Sequence, residues 1–73
     1  MDTVYATRDQ LAGAIKAHAK GNWYVLHCDG YTFKVYRLWA QIMQRPDGIR
    51  ASGTMYNKTQ KALVAEIQAF MKV

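Results

Sequence analysis

The chain reads as an α+β domain in the order helix, three antiparallel strands, helix, with both helices on one face of the sheet. Three observations predict it. Residues 7 to 20, TRDQLAGAIKAHAK, carry the start and stop signals of a helix. Asp29-Gly30 separates two runs rich in β-branched and aromatic residues, the signature of a tight hairpin. Residues 58 to 72, KTQKALVAEIQAFMK, place Leu63, Val64, Ile67, Phe70 and Met71 at helical spacing.

The first helix opens with Thr7 and Gln10, a capping-box pair. Asp9 lies in its first turn, with Lys16, His18 and Lys20 toward its end, and both placements suit the helix dipole. Gly21 is the expected stop. Leu11, Ala14, Ile15 and His18 form a thin apolar stripe. Gly13 is unfavourable in a helix interior, which suggests a close approach to the sheet. Residues 1 to 6 precede the helix as an expected flexible arm.

The Asp29-Gly30 turn sets the hairpin register. Cys28 then faces Tyr31, Leu26 faces Phe33, and Tyr24 faces Val35. None of these six is charged, so they are assigned to the core. The opposite face pairs His27 with Thr32, Val25 with Lys34, and Trp23 with Tyr36. Beyond residue 36 the inward parity breaks at Arg37. A β-bulge there would send Leu38, Ala40 and Ile42 inward and let the strand continue to Met43. A helical turn from Leu38 is the alternative. Arg45-Pro46-Asp47-Gly48 reads as a turn, followed by a third strand over 49 to 55. Asn57 is the expected N-cap of the last helix.

A chain of 73 residues supports one domain, 1 to 73. With 51% hydrophobic residues it has the material for a core. No apolar run is long enough to cross a membrane. MDTVYATRDQ has no basic stretch leading into an apolar one, so no secretory leader is read there. The single cysteine, Cys28, excludes an internal disulfide and fits a reducing cytoplasm. The net charge of +5 attracts nucleic acid, acidic protein surfaces or anionic lipid without choosing among them.

Catalytic groups do not converge in this pattern. His27 and Cys28 are strand neighbours and point to opposite faces, so they form no nucleophile–base pair. Two histidines and one cysteine lack metal-ligand spacing. The carboxylates Asp2, Asp9, Asp29 and Asp47 fall at ends and turns. The expectation is a protein that is not an enzyme and holds neither metal nor cofactor.

What stands out is the clustering of rings. Six of the nine aromatic residues lie between positions 21 and 39: Trp23, Tyr24, Tyr31, Phe33, Tyr36 and Trp39. Alternation sends Trp23 and Tyr36 outward beside Lys34, with Trp39 extending the patch. Such rings can serve simply to brace a hairpin. They are also the residue types that anchor protein interfaces or stack on single-stranded nucleic acid. Lys58 and Lys61 open the last helix, where a helix N-terminus and lysines together suit phosphate.

Two resemblances follow. YTFKVYRLW and GIRASGTMYNKTQKALVAEIQAF are similar to the second and third strands and final helix of double-stranded-RNA-binding domains. That likeness implies phosphate contacts from Lys58 and Lys61 and recognition of A-form shape. The chain as a whole, from MDTVYATRDQ to EIQAFMKV, resembles small phage-encoded regulators that bind host RNA polymerase. This second resemblance implies a monomer in the host bacterial cytoplasm that blocks transcription initiation and promotes antitermination, with nucleic acid met directly or through the polymerase. The docking residues expected from the surface pattern are Trp23, Tyr36 and Trp39 as anchors and Lys34 and Arg50 as rim charges. Val4 and Tyr5 would add contacts from the arm.

Overall fold

The computed structural model describes residues 2–19, 21–50 and 53–71. Its sheet has five strands in the order β1-β2-β3-β4-β5. They are Asp2–Ala6, Tyr24–Cys28, Tyr31–Tyr36, Trp39–Gln44 and Thr54–Tyr56. Two helices, α1 (Leu11–His18) and α2 (Gln60–Phe70), supply Leu11, Ile15, Leu63 and Ile67 to the buried face. The α+β class and the one-sided helices stand, but the three-stranded antiparallel sheet is corrected to five strands in a mixed sheet.

The first added strand is the expected arm. Asp2–Ala6 pairs parallel with β2, from Asp2 beside Tyr24 to Ala6 beside Cys28. Thr, Val and Tyr suit a strand, and Val4 sits in the core at 8% exposure. A parallel pair needs a crossover, which a short 3-10 turn (Arg8–Gln10) and α1 provide. The capping box is present: Thr7 Oγ1 accepts from the Gln10 backbone N–H, and Gln10 Oε1 accepts from the Thr7 N–H. The α-helix itself is shorter than 7 to 20, and Lys20 lies outside the described residues. A Cβ on Gly13 would meet nothing within 4 Å, so the expected close approach to the sheet is absent.

The β2–β3 hairpin has the register set by its turn: Cys28 with Tyr31, Leu26 with Phe33, Tyr24 with Val35. Asp29 and Gly30 both have positive φ, 50° and 87°, as a type I′ turn requires. The chain does not run on past residue 36 as a bent strand or a helical turn. It reverses at Arg37-Leu38, so that Tyr36 pairs with Trp39 and Val35 with Ala40. Arg37 takes φ 52° there, an uncommon conformation for a residue with a Cβ. The bulge lies further on. Phe33 pairs with Ile42 but Thr32 with Gln44, leaving Met43 as the extra residue.

The third expected strand is reduced to β5, which pairs with β4 from Trp39–Tyr56 to Gln41–Thr54. Arg50 makes one bridge to Gln44; Ile49 is 62% exposed; Ala51 and Ser52 lie outside the described residues. The helix α2 begins later than 58, with Thr59 rather than Asn57 as its N-cap; Thr59 Oγ1 accepts from the Ala62 N–H at 3.1 Å. Asn57 instead donates from Nδ2 to Glu66 Oε1. Lys72 lies outside the described residues.

One core cluster joins all five strands and both helices. Phe70 extends it at the far end of α2, meeting Tyr31 and Phe33 edge-on at about 6 Å. Both helices occupy that side, so the opposite sheet face is left uncovered by helix.

Candidate functional site

The uncovered face has three rows of side chains, set by strand register. At one end stand Tyr5, His27 and Thr32; in the middle Thr3, Val25, Lys34, Gln41 and Thr54. At the other end Tyr36, Trp39 and Tyr56 stand side by side across β3, β4 and β5. Trp23, just before β2, completes this last row.

These rings touch. Trp23 and Tyr36 have centroids 5.0 Å apart, tilted by 33°. Trp23 and Trp39 meet edge-on, 4.9 Å apart at 90°, the favourable quadrupole arrangement. Lys34 Nζ lies 4.6 Å from the Trp23 ring centre and the Arg37 guanidinium 5.6 Å from that of Tyr36. Cation–π contacts at partly exposed sites contribute about 0.5–1 kcal/mol each. Together Trp23, Tyr36, Arg37, Leu38, Trp39 and Tyr56 line a groove of about 580 Å3. Trp23 and Tyr56 stay exposed, at 38% and 78%.

Of the expected docking residues, Trp23, Lys34, Tyr36 and Trp39 are thus brought together. Val4 is removed from the list by its burial. Tyr5 is exposed but stacks on His27, 4.8 Å apart and 13° from parallel, in the row at the opposite end. Thr32 Oγ1 and His27 Nδ1 lie 3.2 Å apart beneath that pair. Arg50 sits by Gln44, away from the aromatic row. Lys58 and Lys61 do not share a site. Lys58 lines a cleft of about 540 Å3 with Gly21, Arg37, Leu38 and Thr59, whereas Lys61 lines a separate depression between α1 and α2 with Ala12, Lys16 and Gln68.

Sequence reasoning missed Tyr56 and Arg37. Tyr56 had a signal: it shares parity with the outward Thr54, and a strand drawn one residue longer would have included it. Arg37-Leu38 carries no glycine, asparagine or proline to announce a turn.

Cys28 is fully buried. Burial, and secondarily the Asp29 charge, pushes its thiol up, against an opposing pull from Arg8. The structure places it in the core. Among the described residues no group of three His, Cys, Asp or Glu side chains could hold a metal ion, and no helix is long and apolar enough to cross a membrane.

Comparison with family models, curated proteins and solved structures finds no match for this chain.

Proposed function

We propose that the chain is a transcription regulator of the phage type that binds bacterial RNA polymerase by protein–protein contact and acts there without chemistry of its own. The observation that carries the docking part is the row of Trp23, Tyr36, Trp39 and Tyr56 on the helix-free face, flanked by Lys34 and Arg37. Trp, Tyr and Arg are the residues that concentrate binding energy at interfaces. Base stacking on this row is less well served. It needs open ring faces, yet Lys34 lies over Trp23 and Trp39 meets Trp23 edge-on. The choice of polymerase as the partner, and of blocked initiation with antitermination as the outcome, is supported by the resemblance of the whole chain to small phage-encoded regulators. The site of action is then the host cytoplasm, and the chain acts as a monomer.

The test is retention of purified bacterial RNA polymerase on the immobilised chain, with and without nuclease. Wild type should retain it after nuclease. Trp23→Ala with Tyr36→Ala should abolish retention while the circular dichroism spectrum is unchanged, since cross-strand aromatic pairs contribute only about 0.2–1 kcal/mol to the fold. Undiminished retention by the double variant would make the rings a brace for the hairpin. Retention that disappears with nuclease would shift the contact to nucleic acid. Lys58→Ala with Lys61→Ala would then be the pair to examine for a salt-dependent loss of duplex RNA binding.

A further inference from the structure

The aromatic groove does not end at its rim. Arg37 and Leu38 line both it and the neighbouring cleft, which continues to Gly21, Lys58 and Thr59. One path therefore runs from four aromatic rings to two cations, and neither depression has an aspartate or glutamate in its lining. Asp29 and Asp47 sit in turns at the opposite end of the sheet and Asp9 in the 3-10 turn before α1; at the near end, Glu66 accepts from Asn57 Nδ2 and Asp2 opens β1 beside Tyr24, and neither lines the path.

The Arg37 side chain is exposed and lies between two neighbours. Its backbone is pinned in the left-handed region by the two-residue turn. The guanidinium lies over Tyr36 on one side and close to Gly21 on the other. A Cβ on Gly21 would come within 3.1 Å of Arg37 Nη2, and Gly21 itself has φ +89°. A guanidinium, whose donors form a planar fork, is suited to a carboxylate. Lys58 supplies a second, more flexible positive charge across the same cleft.

Resting on the docking reading above, we propose that the segment seated on this end of the sheet is an acidic peptide. A hydrophobic residue of the partner seats in the groove against Trp39, Tyr56 and Leu38, and carboxylates beside it on the same segment meet Arg37 and Lys58. Charge complementarity selects this occupant: an apolar anchor alone leaves the cations without partners, and a polyanion without an anchor leaves the rings exposed. The pairing also separates roles, since the buried rings hold the complex while the charges steer and register it.

The probe is a short peptide with one Phe among Asp and Glu residues, set beside a copy with Asn and Gln in place of the acids and a single-stranded oligonucleotide of equal charge. Binding is followed through the amide signals of Gly21, Arg37 and Lys58 and the indole N–H signals of Trp23 and Trp39. The acidic peptide should move both sets together, and the amide copy should bind at least about tenfold more weakly, the scale of losing two charge-assisted contacts. Arg37→Gln with Lys58→Gln should erase the difference between the two peptides and leave the indole response to the amide copy intact. Equal binding of the two peptides by wild type, or no response to either, overturns the proposal. So does an oligonucleotide that displaces the peptide from the indoles, which would make the occupant a nucleic acid. Retention of purified polymerase separates the two readings: polymerase retained with the peptides silent sinks the acidic segment alone, and peptide bound with polymerase lost sinks the polymerase reading alone.

Discussion

Arg8 reaches from the 3-10 turn at the start of the first helical segment to the last turn of α2, donating to the Gln68 carbonyl at 2.9 Å and the Met71 carbonyl at 3.2 Å. A helix end leaves its final carbonyls without intrahelical donors, and a cation there meets the negative end of the dipole. These contacts span 60 and 63 residues of sequence and tie the start of the first helical segment to the end of the last helix. Arg8→Ala should lower stability by about 1–2 kcal/mol in urea unfolding, a charged hydrogen bond that is only part-buried. Arg8→Lys should recover part of that, having the charge without the two-pronged geometry. Neither should alter docking, because Arg8 lies away from the aromatic row.

Tyr24 carries a buried hydroxyl with no hydrogen-bond partner among the described residues. Burial pushes its phenol up to about 12. The folded form therefore holds its proton more tightly than the unfolded form, whose phenol titrates near 10. The stabilisation is complete below pH 10 and is lost as pH rises toward 12, by at most about 1.4 kcal/mol per pH unit. Tyr24→Phe should remove this alkaline slope and leave neutral-pH stability equal or higher by up to about 1 kcal/mol, since an unpaired buried hydroxyl is lost. Thermal melts at several alkaline pH values read both.

Gly30 has φ +87°, and a Cβ there would come within 3.0 Å of the Pro46 ring. Gly30→Ala strains the β2–β3 turn and crowds the adjoining loop at once. Its cost should be about 1–2 kcal/mol, measured as a fall in urea midpoint with no change in slope.

Arg37 makes the opposite case. Arg37→Gly relieves the left-handed backbone and should raise stability by roughly 0.5–1 kcal/mol, while weakening retention of the partner. A stabilised variant that still binds normally would remove Arg37 from the interface.

Cys28 should resist a thiol reagent at pH 8 in the folded protein and react fully once denaturant is added, since both its burial and its raised pKa keep the thiolate scarce.

Local signals were legible, and distant ones were not. Asp29-Gly30 specified the β2–β3 register to the residue, because turn geometry and parity act over a few bonds. The Thr7–Gln10 box was equally readable. The parallel pairing of β1 was not, because its partner lies beyond a helix and no local pattern marks it. The reversal at Arg37-Leu38 was hidden because tertiary pairing holds Arg37 in a conformation its own propensity disfavours. Asn57 and Thr59 both suit an N-cap, and the competing contact of Asn57 with Glu66 accompanies the later start. For the candidate site, parity grouped Trp23, Lys34, Tyr36 and Trp39 on one face, whereas the positions of Val4, Tyr5 and Arg50 and the presence of Arg37 and Tyr56 beside the row depended on pairings that no local pattern marks.

The sheet order has a kinetic consequence. The central strands β2, β3 and β4 are joined by two-residue turns and pair with their neighbours in sequence, whereas β5 joins last through three residue pairs after a longer excursion. Contacts closed over longer loops, and held by fewer bonds, open at lower free energy. Amide hydrogens of β3 should therefore exchange at the rate of global unfolding, and those around β5 much sooner. Trp23, Tyr36 and Trp39 stand on the slow side of that division, and Tyr56 on the fast side. The groove thus has one wall that keeps its shape between encounters and one that can yield as a guest arrives.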